Sequence, residues 1–506
     1  MPISLNFVTF SNIELLIMRK GVIVIDSQAV PGKWFLGKAP DVRTPSYPPI
    51  VFVQGRNSSA SSWNEETIYH GLNDMERIAC LAGYQSVFVE LYDSEGKGSR
   101  SQWDNGKLLS TILKEISTYF GQKLNIIAHS KGGIDVQAAL IHYDAYPYAG
   151  RVLSLSAPHK GSHLADLSYS WYASWLAELL GQKDDGTFSL QTGEMTHFRS
   201  LTDQNKNINK NTYFTAAGAS RGPAFSSLSL GGAYLSSYGE NDGLVNVWST
   251  VLPYGKHLFT DQSLDHDSIR IGSRFFSKAE PFLKSTEPSS ILTKGPIPEE
   301  SLETEANHII RGGPLPAGQF VKLSFSIEKE AEVTLFTMSA DKETKVTLRS
   351  PSGTIIPAQQ PIALPEKSYF GGAWLHPFEL DHAEPGTWEL SLQSPKNDAF
   401  LFIGNIHLPS PVQIILPALT IMNSKKKLLF RSQSSKKAIY SCQWRMIDRS
   451  GTLIHEFTTK AQGAAQHPLP SITKEGTYNI TVDIEGTTEQ GTPFTRTTVR
   501  SIYLTP

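Results

Sequence analysis

Cysteine, excess charge and long apolar runs are all scarce in this sequence. Two cysteines in 506 residues exclude a disulfide-rich scaffold and a zinc site built from four cysteines. Lys and Arg number 46 against 48 Asp and Glu, and a net charge of −2 argues against binding nucleic acid or an anionic membrane through bulk charge. No apolar run reaches about 18 residues, so we expect no transmembrane segment. The first residues lack a basic segment and a small-residue cleavage site, so they predict no intact signal peptide.

Composition divides the remaining chain into three parts. At about 150 residues per domain, the length allows roughly three domains. Residues 287–300 are rich in Pro and Ser without apolar periodicity, which predicts a linker, and a second Pro-punctuated joint lies at 408–411. We therefore expect domains at 1–286, 301–408 and 409–506.

Short apolar runs alternate with helical patterns before the predicted linker. Apolar residues recur at helical spacing from Leu109 to Phe120, between two of these runs. This alternation predicts a mostly parallel sheet with helices on both faces, and such sheets carry reactive groups at the carboxyl ends of their strands. The predicted strands are Ile50–Val53, Ser86–Leu91, Leu124–Ala128 and Arg151–Leu155.

After residue 300 the apolar period changes to two. Residues 321–327, 388–392 and 478–484 alternate apolar with polar side chains, the pattern of antiparallel strands with one buried face. A turn of Gly and Thr before an aromatic residue occurs at 386–388 and again at 476–478, a spacing close to one β-sandwich. The region therefore predicts two successive antiparallel β-sandwich domains, the second of them immunoglobulin-like.

The strongest local signal for chemistry is Ser130. It follows the apolar run 124–128 and precedes a helical pattern, with Ala128 and Gly132 two residues away on either side. Small residues at these positions let a strand turn sharply into a helix and leave the serine hydroxyl exposed as a nucleophile. An ordinary turn with Ser130 as a helix cap is the alternative interpretation.

A nucleophilic serine also needs two N–H groups to bind the oxyanion. The backbone of Lys131, the residue after the nucleophile, is the first candidate. The second is the backbone of Arg56, because Gly55 lets the loop after strand 50–53 approach the substrate. A simple turn at the end of the strand is the alternative for that loop.

The sequence has fourteen histidines, so the order and spacing of residues along the chain must select the candidate base and its acid. Asp242 lies on an Asp-Gly turn, and His266 follows it before an amphipathic pattern at 269–278. The order Ser130, Asp242, His266 is typical of serine hydrolases with a sheet of this kind. We consider His129, His159 and His257 poorer candidates for the base.

Four motifs in this order resemble the bacterial triacylglycerol lipases of the α/β-hydrolase superfamily. The resemblance covers about residues 20–285, and the Ala at the elbow and the Glu-Asn-Asp-Gly string are most similar to the thermoalkalophilic branch. It implies an α/β-hydrolase fold and the triad Ser130, Asp242 and His266. The motifs are Ala-His-Ser-Lys-Gly-Gly at 128–133, Ala-Pro-His-Lys-Gly-Ser at 157–162, Glu-Asn-Asp-Gly-Leu-Val at 240–245 and Asp-His at 265–266.

The sequence departs from the family at two places. The oxyanion loop usually reads His-Gly and here reads Gln54-Gly55, which keeps the backbone donor and changes its support. Many members bind calcium through an acid two residues after the catalytic His, where this chain has Ser268. The His and Asp set for the zinc site of the thermoalkalophilic branch is also incomplete, so we expect no metal and no cofactor.

An apolar segment within an insertion at about 161–211 has the composition of a lid. Residues 164–180 are apolar on more than one helical face, which predicts a helix that covers the active site or lines the acyl site. A buried core helix is the alternative. The candidate residues are Trp171, Tyr172, Trp175, Leu176 and Leu179.

These features predict a serine carboxylic-ester hydrolase that acts on ester or lipid substrates, including aggregated or polymeric ones. The same triad also fits a polyester depolymerase, a thioesterase or an amidase. A protein of another class, a non-catalytic surface-binding protein with a relic hydrolase domain, is the remaining alternative. The family resemblance and the appended β-domains favour an extracellular location, although the sequence predicts no signal peptide.

Overall fold

A computed structural model describes most of the chain. The described residues are 13–14, 17–19, 22–24, 29–41, 47–95, 98–287, 307–366, 368–415, 422–423, 429–472 and 474–505. Most of the linker predicted at 287–300 lies outside these residues. No helix within them has the length and apolar content to cross a membrane.

The N-terminal region is an α/β-hydrolase fold built on an eight-stranded sheet. Its strand order is β1-β4-β6-β5-β7-β8-β9-β10, and all neighbours pair in parallel except β4 with β6. The first ten strands are β1 Ile13–Glu14, β2 Ile17–Arg19, β3 Val22–Val24, β4 Trp34–Leu36, β5 Ile50–Val53, β6 Ser86–Val89, β7 Leu124–His129, β8 Ala149–Leu155, β9 Thr212–Gly218 and β10 Lys256–Asp261.

The predicted strands and the mostly parallel sheet are confirmed. Every residue of β5, β6 and β7 is buried, because helices cover both faces of the sheet and short apolar runs satisfy both. The helices are α1 Met75–Leu81, α2 Gln102–Phe120, α3 Lys131–Gln137, α4 His163–Ser168, α5 Ser174–Leu179, α6 Asp185–Ser189, α7 Thr192–Thr202, α8 Ser227–Leu235 and α9 Gly272–Ala279.

Helix α2 shows how the sequence sets a helix on this sheet. The Ser101 side chain accepts a hydrogen bond from the Asp104 N–H and caps the first turn. Gly121 ends the helix with φ of 65°, a left-handed conformation that favours glycine. Between these caps, Leu109 and Ile116 are buried against the sheet. Helix α9 buries Phe275 and Phe276 in the core on the opposite face.

The prediction of a single helix over 164–180 is wrong. The segment instead forms two short helices, α4 and α5. Between them, the Ser170 hydroxyl accepts a hydrogen bond from the Ala173 N–H. The Trp171 N–H donates to the Thr481 hydroxyl, which belongs to the C-terminal region. An N–H group that bonds to a distant side chain does not also bond within a helix. The break between α4 and α5 is therefore a consequence of tertiary contact.

The C-terminal region consists of β-sheets whose strands are antiparallel, as the alternating pattern predicts, except where Met422–Asn423 pairs in parallel with the last strand. The strands are β11 His308–Leu315, β12 Phe320–Ile327, β13 Ala331–Ser339, β14 Lys345–Arg349, β15 Ile355–Pro357, β16 Ile362–Ala363, β17 Trp374–Pro377, β18 His382–Ala383, β19 Gly386–Gln393, β20 Asp398–Ile406, β21 Val412–Ile415, β22 Met422–Asn423, β23 Leu429–Ser434, β24 Ile439–Ile447, β25 Leu453–Gln462, β26 Ala465–Pro468, β27 Gly476–Thr487 and β28 Pro493–Thr505.

One eleven-stranded sheet runs through both predicted sandwiches. Strand β11 of the first half pairs with β28 of the second half where His308 faces Thr497. Smaller sheets of four strands, β12-β19-β14-β15, and three strands, β21-β23-β26, accompany it in the two halves. The boundary near residue 408 stays a prediction, and the two halves share a sheet across it.

The C-terminal region packs on the inserted segment of the hydrolase. The Ser501 hydroxyl donates to the buried Asp166 carboxylate of α4 at 2.7 Å. The Tyr172 hydroxyl donates to Asp483 of β27 at 2.6 Å. Apolar residues of α4, α5 and α8 also share one buried cluster with residues of β11, β13, β17 and β20. The C-terminal region therefore covers the insertion, whose other side packs on Ile134 and Ala138 of the hydrolase.

Candidate active site

Ser130 lies at a sharp turn between β7 and α3. Its backbone has φ of 54° and ψ of −132°, a sparsely populated conformation for a residue with a side chain. A side-chain carbon at Gly132 would lie 2.3 Å from the Gln54 carbonyl oxygen, so only glycine lets α3 begin so close to β5. The structure therefore shows the close packing that explains why a small residue is needed after Ser130.

His266 lies between Ser130 and Asp242. Its Nε2 is 3.0 Å from Ser130 Oγ, and its Nδ1 is 2.8 Å from Asp242 Oδ2. Because an ionised carboxylate only accepts hydrogen bonds, Nδ1 carries the proton and Nε2 is free to accept from the serine hydroxyl. These distances are the ones that a nucleophile, a general base and an orienting acid would need.

Asp242 is fixed by the turn on which it lies. Its Oδ1 accepts hydrogen bonds from the N–H groups of Leu244 at 3.1 Å and Val245 at 2.8 Å. Gly243 has φ of 99°, which a residue with a side chain rarely adopts. The His266 N–H also donates to the Asp242 carbonyl oxygen at 2.9 Å. Backbone bonds therefore set the separation of the acid and the histidine.

The loop after β5 lies beside Ser130. A side-chain carbon at Gly55 would lie 3.0 Å from Ser130 Cβ. The Gln54 side chain is buried, and in its satisfied orientation the amide donates to the Val89 carbonyl and accepts from the Leu91 N–H. The glutamine that replaces the usual histidine thus ties this loop to the end of β6.

The other candidate histidines have different partners. His159 is bonded to the Ser154 hydroxyl, and His257 is bonded to the Thr215 hydroxyl, both at 2.9 Å. His129 Nε2 donates to the His266 carbonyl oxygen at 2.9 Å, and the two rings lie 4.7 Å apart. Burial lowers the pKa of His129 well below its usual value, and the adjacent His266 and Arg270 add to the effect. A neutral His129 therefore supports the backbone of His266.

A pocket opens over Ser130 and His266, and two of its residues come from the C-terminal region. Ser368 and Tyr369 lie on the turn before Gly371, where Phe370 has φ of 56°. Burial raises the pKa of Tyr369. Other lining residues from the hydrolase include the apolar or aromatic Ile68, Tyr69, Pro158, Leu190, Leu228 and Leu244, the polar Ser227, and the charged Arg56, Glu65, Glu66, Asp267 and Arg270.

Sequence reasoning missed Ser368 and Tyr369. They lie more than 230 residues after the nucleophile in a predicted β-sandwich, and no periodicity or motif marks them. The one local signal is the pair of glycines that follows Phe370, which predicts a turn.

The predicted lid residues lie outside the lining of this pocket. Leu176 is fully buried under the C-terminal region, whereas Trp175 and Leu179 are about half exposed. Trp171 and Tyr172 lie beside the Arg445 guanidinium of β24. Their role at the acyl site stays a prediction.

The titratable groups offer no metal site among the residues that the structure describes. No three His, Cys, Asp or Glu side chains converge there in a group fit to hold an ion. Asp265, next to His266, is instead bonded to His70 at 2.6 Å, and Asp267 is paired with Arg270 at 2.7 Å.

Comparison with known proteins gives a family. No protein-family model matches the sequence, and no curated protein matches it. The propeptide-form crystal structure of Bacillus licheniformis lipase BlEst2 is 34% identical, covers 94% of this chain and 98% of its own, and has a TM-score of 0.76. The mature form of the same lipase is 45% identical over 50% of this chain and 99% of its own, with a TM-score of 0.46. Because the propeptide form is similar over nearly the whole length of both chains, this chain belongs to that family of bacterial α/β-hydrolase lipases and is an ester hydrolase.

Proposed function

We propose that the chain hydrolyses carboxylic esters through a covalent acyl-enzyme formed on Ser130. The observation that carries this proposal is the position of the His266 ring, within hydrogen-bond distance of both Ser130 Oγ and Asp242 Oδ2. Asp242 is fully buried and Ser130 is 9% exposed, so the charge is shielded while the nucleophile faces the pocket.

The chemistry follows from these contacts. His266 Nε2 takes the Ser130 proton as the oxygen attacks the ester carbonyl, and Asp242 stabilises the imidazolium that forms. The tetrahedral oxyanion is bound by the backbone N–H groups of Arg56 and Lys131. His266 then protonates the leaving alcohol, and water activated by the same nitrogen releases the acid.

We also propose that the C-terminal region acts as a cover over the active site. Support comes from Ser368 and Tyr369 in the wall of the catalytic pocket. Further support comes from the relative BlEst2, which has a crystal structure in its propeptide form over 98% of which this chain aligns. On this proposal, large substrates reach Ser130 after the region moves or is removed, whereas small esters enter the pocket as it stands.

The proposed substrate class rests on the apolar part of the pocket wall. Leu190, Leu228 and Leu244 line the pocket together with charged residues, and we propose that these leucines take the acyl group. We propose that the insertion at 161–211 adds to this preference and that the chain lies near the thermoalkalophilic branch, on its Glu-Asn-Asp-Gly motif. Much faster hydrolysis of p-nitrophenyl acetate than of the octanoate would contradict the acyl preference.

A fluorophosphonate probe tests the proposed nucleophile. We expect covalent labelling of the full-length protein at Ser130 and none of Ser130→Ala, which should retain its folded spectrum. An unlabelled but folded wild type would favour the non-catalytic alternative. A panel of p-nitrophenyl esters, one thioester, one anilide and an insoluble polyester then separates a lipase or esterase from a thioesterase, an amidase or a polyester depolymerase.

A further inference from the structure

A buried carboxylate, Asp93, lies between the two segments that carry the proposed oxyanion donors. It follows β6, which pairs with β5, and β5 pairs with β7. The carboxyl ends of these three neighbouring strands therefore carry Asp93, the loop with Arg56, and the Ser130–Lys131 turn. The proposed triad mechanism does not use Asp93.

The two carboxylate oxygens of Asp93 face different segments. Oδ1 accepts a hydrogen bond from the Asn57 N–H, directly after Arg56, at 3.3 Å. Oδ2 lies 3.5 Å from the Lys131 ammonium nitrogen. The Ser99 hydroxyl and the Asn105 amide both donate to Asp93 and hold it in place.

Both segments contain a residue with positive φ, 51° at Asn57 and 54° at Ser130. Asparagine tolerates this region better than most residues. Ser130, with ψ of −132°, lies in a sparsely populated conformation that surrounding contacts must enforce. The hydrogen bond to the Asn57 N–H and the ion pair with the Lys131 side chain are contacts of this kind.

The charge of Asp93 is needed beside Lys131. The Lys131 side chain is completely buried, and a buried ammonium requires a counter-charge. Asp135 lies 3.0 Å away, but burial raises its pKa to about 7, with the Asp93 charge adding to this effect and Lys131 opposing it. Near neutral pH, Asp135 is therefore partly protonated, and Asp93 shares the neutralisation of the ammonium.

We propose that Asp93 is a positioning residue that fixes the separation of the two oxyanion donors, by bonding the Arg56 loop through one oxygen and the Lys131 side chain through the other. The inference rests on the proposed Ser130 mechanism. Asp93 acts through the Asn57 N–H and the Lys131 side chain, and it is not among the residues that line the pocket.

This role predicts a defect in the transition state rather than in substrate binding. Loss of one oxyanion donor costs about 100-fold to 1,000-fold in kcat, and a misplaced donor costs less. We expect Asp93→Asn to lower kcat for p-nitrophenyl acetate about 10-fold to 100-fold in the full-length protein. Because the substrate carbonyl is not yet an anion in the ground state, KM should stay within about threefold.

The Ki of an alkyl trifluoromethyl ketone distinguishes the positioning role from a purely structural role, which would leave this Ki unchanged. The ketone adds to Ser130 and forms a tetrahedral oxyanion, so its Ki reports on the oxyanion hole. In Asp93→Asn the Ki should rise by about the same factor by which kcat/KM falls. If this variant does not fold, Asp93→Asn combined with Lys131→Met removes both charges and is measured in its place.

Glu76→Gln is the matched control, because it neutralises another buried carboxylate of the same domain. Glu76 accepts hydrogen bonds from the Lys38 N–H at 2.7 Å and from the Asn64 side-chain amide at 3.2 Å, whereas Asn57 and Lys131 bond to Asp93. It should lower the melting temperature without raising the Ki. An unchanged kcat and Ki in Asp93→Asn, or equal effects in Glu76→Gln, would overturn the positioning role. A wild type that hydrolyses no ester and takes no label would overturn the proposed function and this inference together.

Discussion

The ring of Tyr369 lies over the guanidinium of Arg56, with 4.6 Å between the ring centroid and the guanidinium carbon. Tyr369 belongs to the C-terminal region, and Arg56 belongs to the proposed oxyanion loop. The guanidinium also donates to the Thr187 hydroxyl at 3.2 Å and pairs with Asp184 at 3.8 Å. The proposed cover over the active site is therefore anchored directly on a residue of the proposed catalytic machinery.

Removal of the Tyr369 ring should open the pocket. A cation–π contact contributes about 0.5–2 kcal/mol, so its loss should raise the open fraction of molecules by about 2-fold to 30-fold. We expect Tyr369→Ala to raise kcat/KM for p-nitrophenyl octanoate within this range and to change the acetate less. Phe378→Ala removes a buried ring of the same region away from the pocket and is the control. Equal gains in both variants would point to general loosening instead.

Asp242→Asn should disable the base without displacing it. The Asn carbonyl keeps the contacts from the Leu244 and Val245 N–H groups, whereas its NH₂ faces His266 Nδ1 and favours the wrong tautomer. We expect kcat to fall about 1,000-fold to 10,000-fold with little change in melting temperature. Asp265→Asn makes the same change one residue before His266, where the partner is His70, and should cost far less activity.

Much of this site could be predicted from the sequence because its parts are encoded locally. The small residues around Ser130 and the Asp-Gly turn at Asp242 impose backbone geometry within a few residues, and their order follows the order of the strands. Asp93 and Tyr369 carry no such signal, since their roles come from neighbours that only the folded chain provides.

The fold shows the same division between local and distant information. Buried runs and alternating patterns give the strands of both regions. The break between α4 and α5 depends on Trp171 bonding to Thr481, 310 residues away. The sheet common to both predicted sandwiches depends on His308 meeting Thr497. Contacts of this range leave no trace in periodicity or composition.

The ionisation of Asp135 should make stability fall as pH rises. Its pKa is about 7 in the folded protein and 3.8 in its ordinary state, so the folded state holds more protons between these values. Stability contributed by the protonated form is therefore complete below about pH 4 and is lost as pH rises through 7. Asp135→Asn mimics the neutral form and keeps it at every pH.

A comparison of melting temperatures tests this linkage. The difference between Asp135→Asn and wild type should increase in favour of the variant from pH 5 to pH 7.5 and then level off. A difference that is constant with pH, or that favours the wild type increasingly, would contradict the raised pKa.

Asp483 should be a major anchor of the C-terminal region on the insertion. Its carboxylate accepts hydrogen bonds from Arg311 at 2.8 Å and from Arg445 and Tyr172 at 2.6 Å, and it is 5% exposed. Asp483→Ala leaves two largely buried guanidinium groups without their shared partner, which costs about 3–5 kcal/mol.

We therefore expect Asp483→Ala to lower the melting temperature by about 5–15 °C. Amide exchange should rise at 169–180, because Tyr172 loses the acceptor that ties this segment to β27. Glu456→Ala removes an exposed carboxylate from the same Arg445 and should shift the melting temperature by about 2 °C at most. If both variants behave alike, the insertion is held by its apolar contacts, and the cover over Ser130 does not depend on this ion cluster.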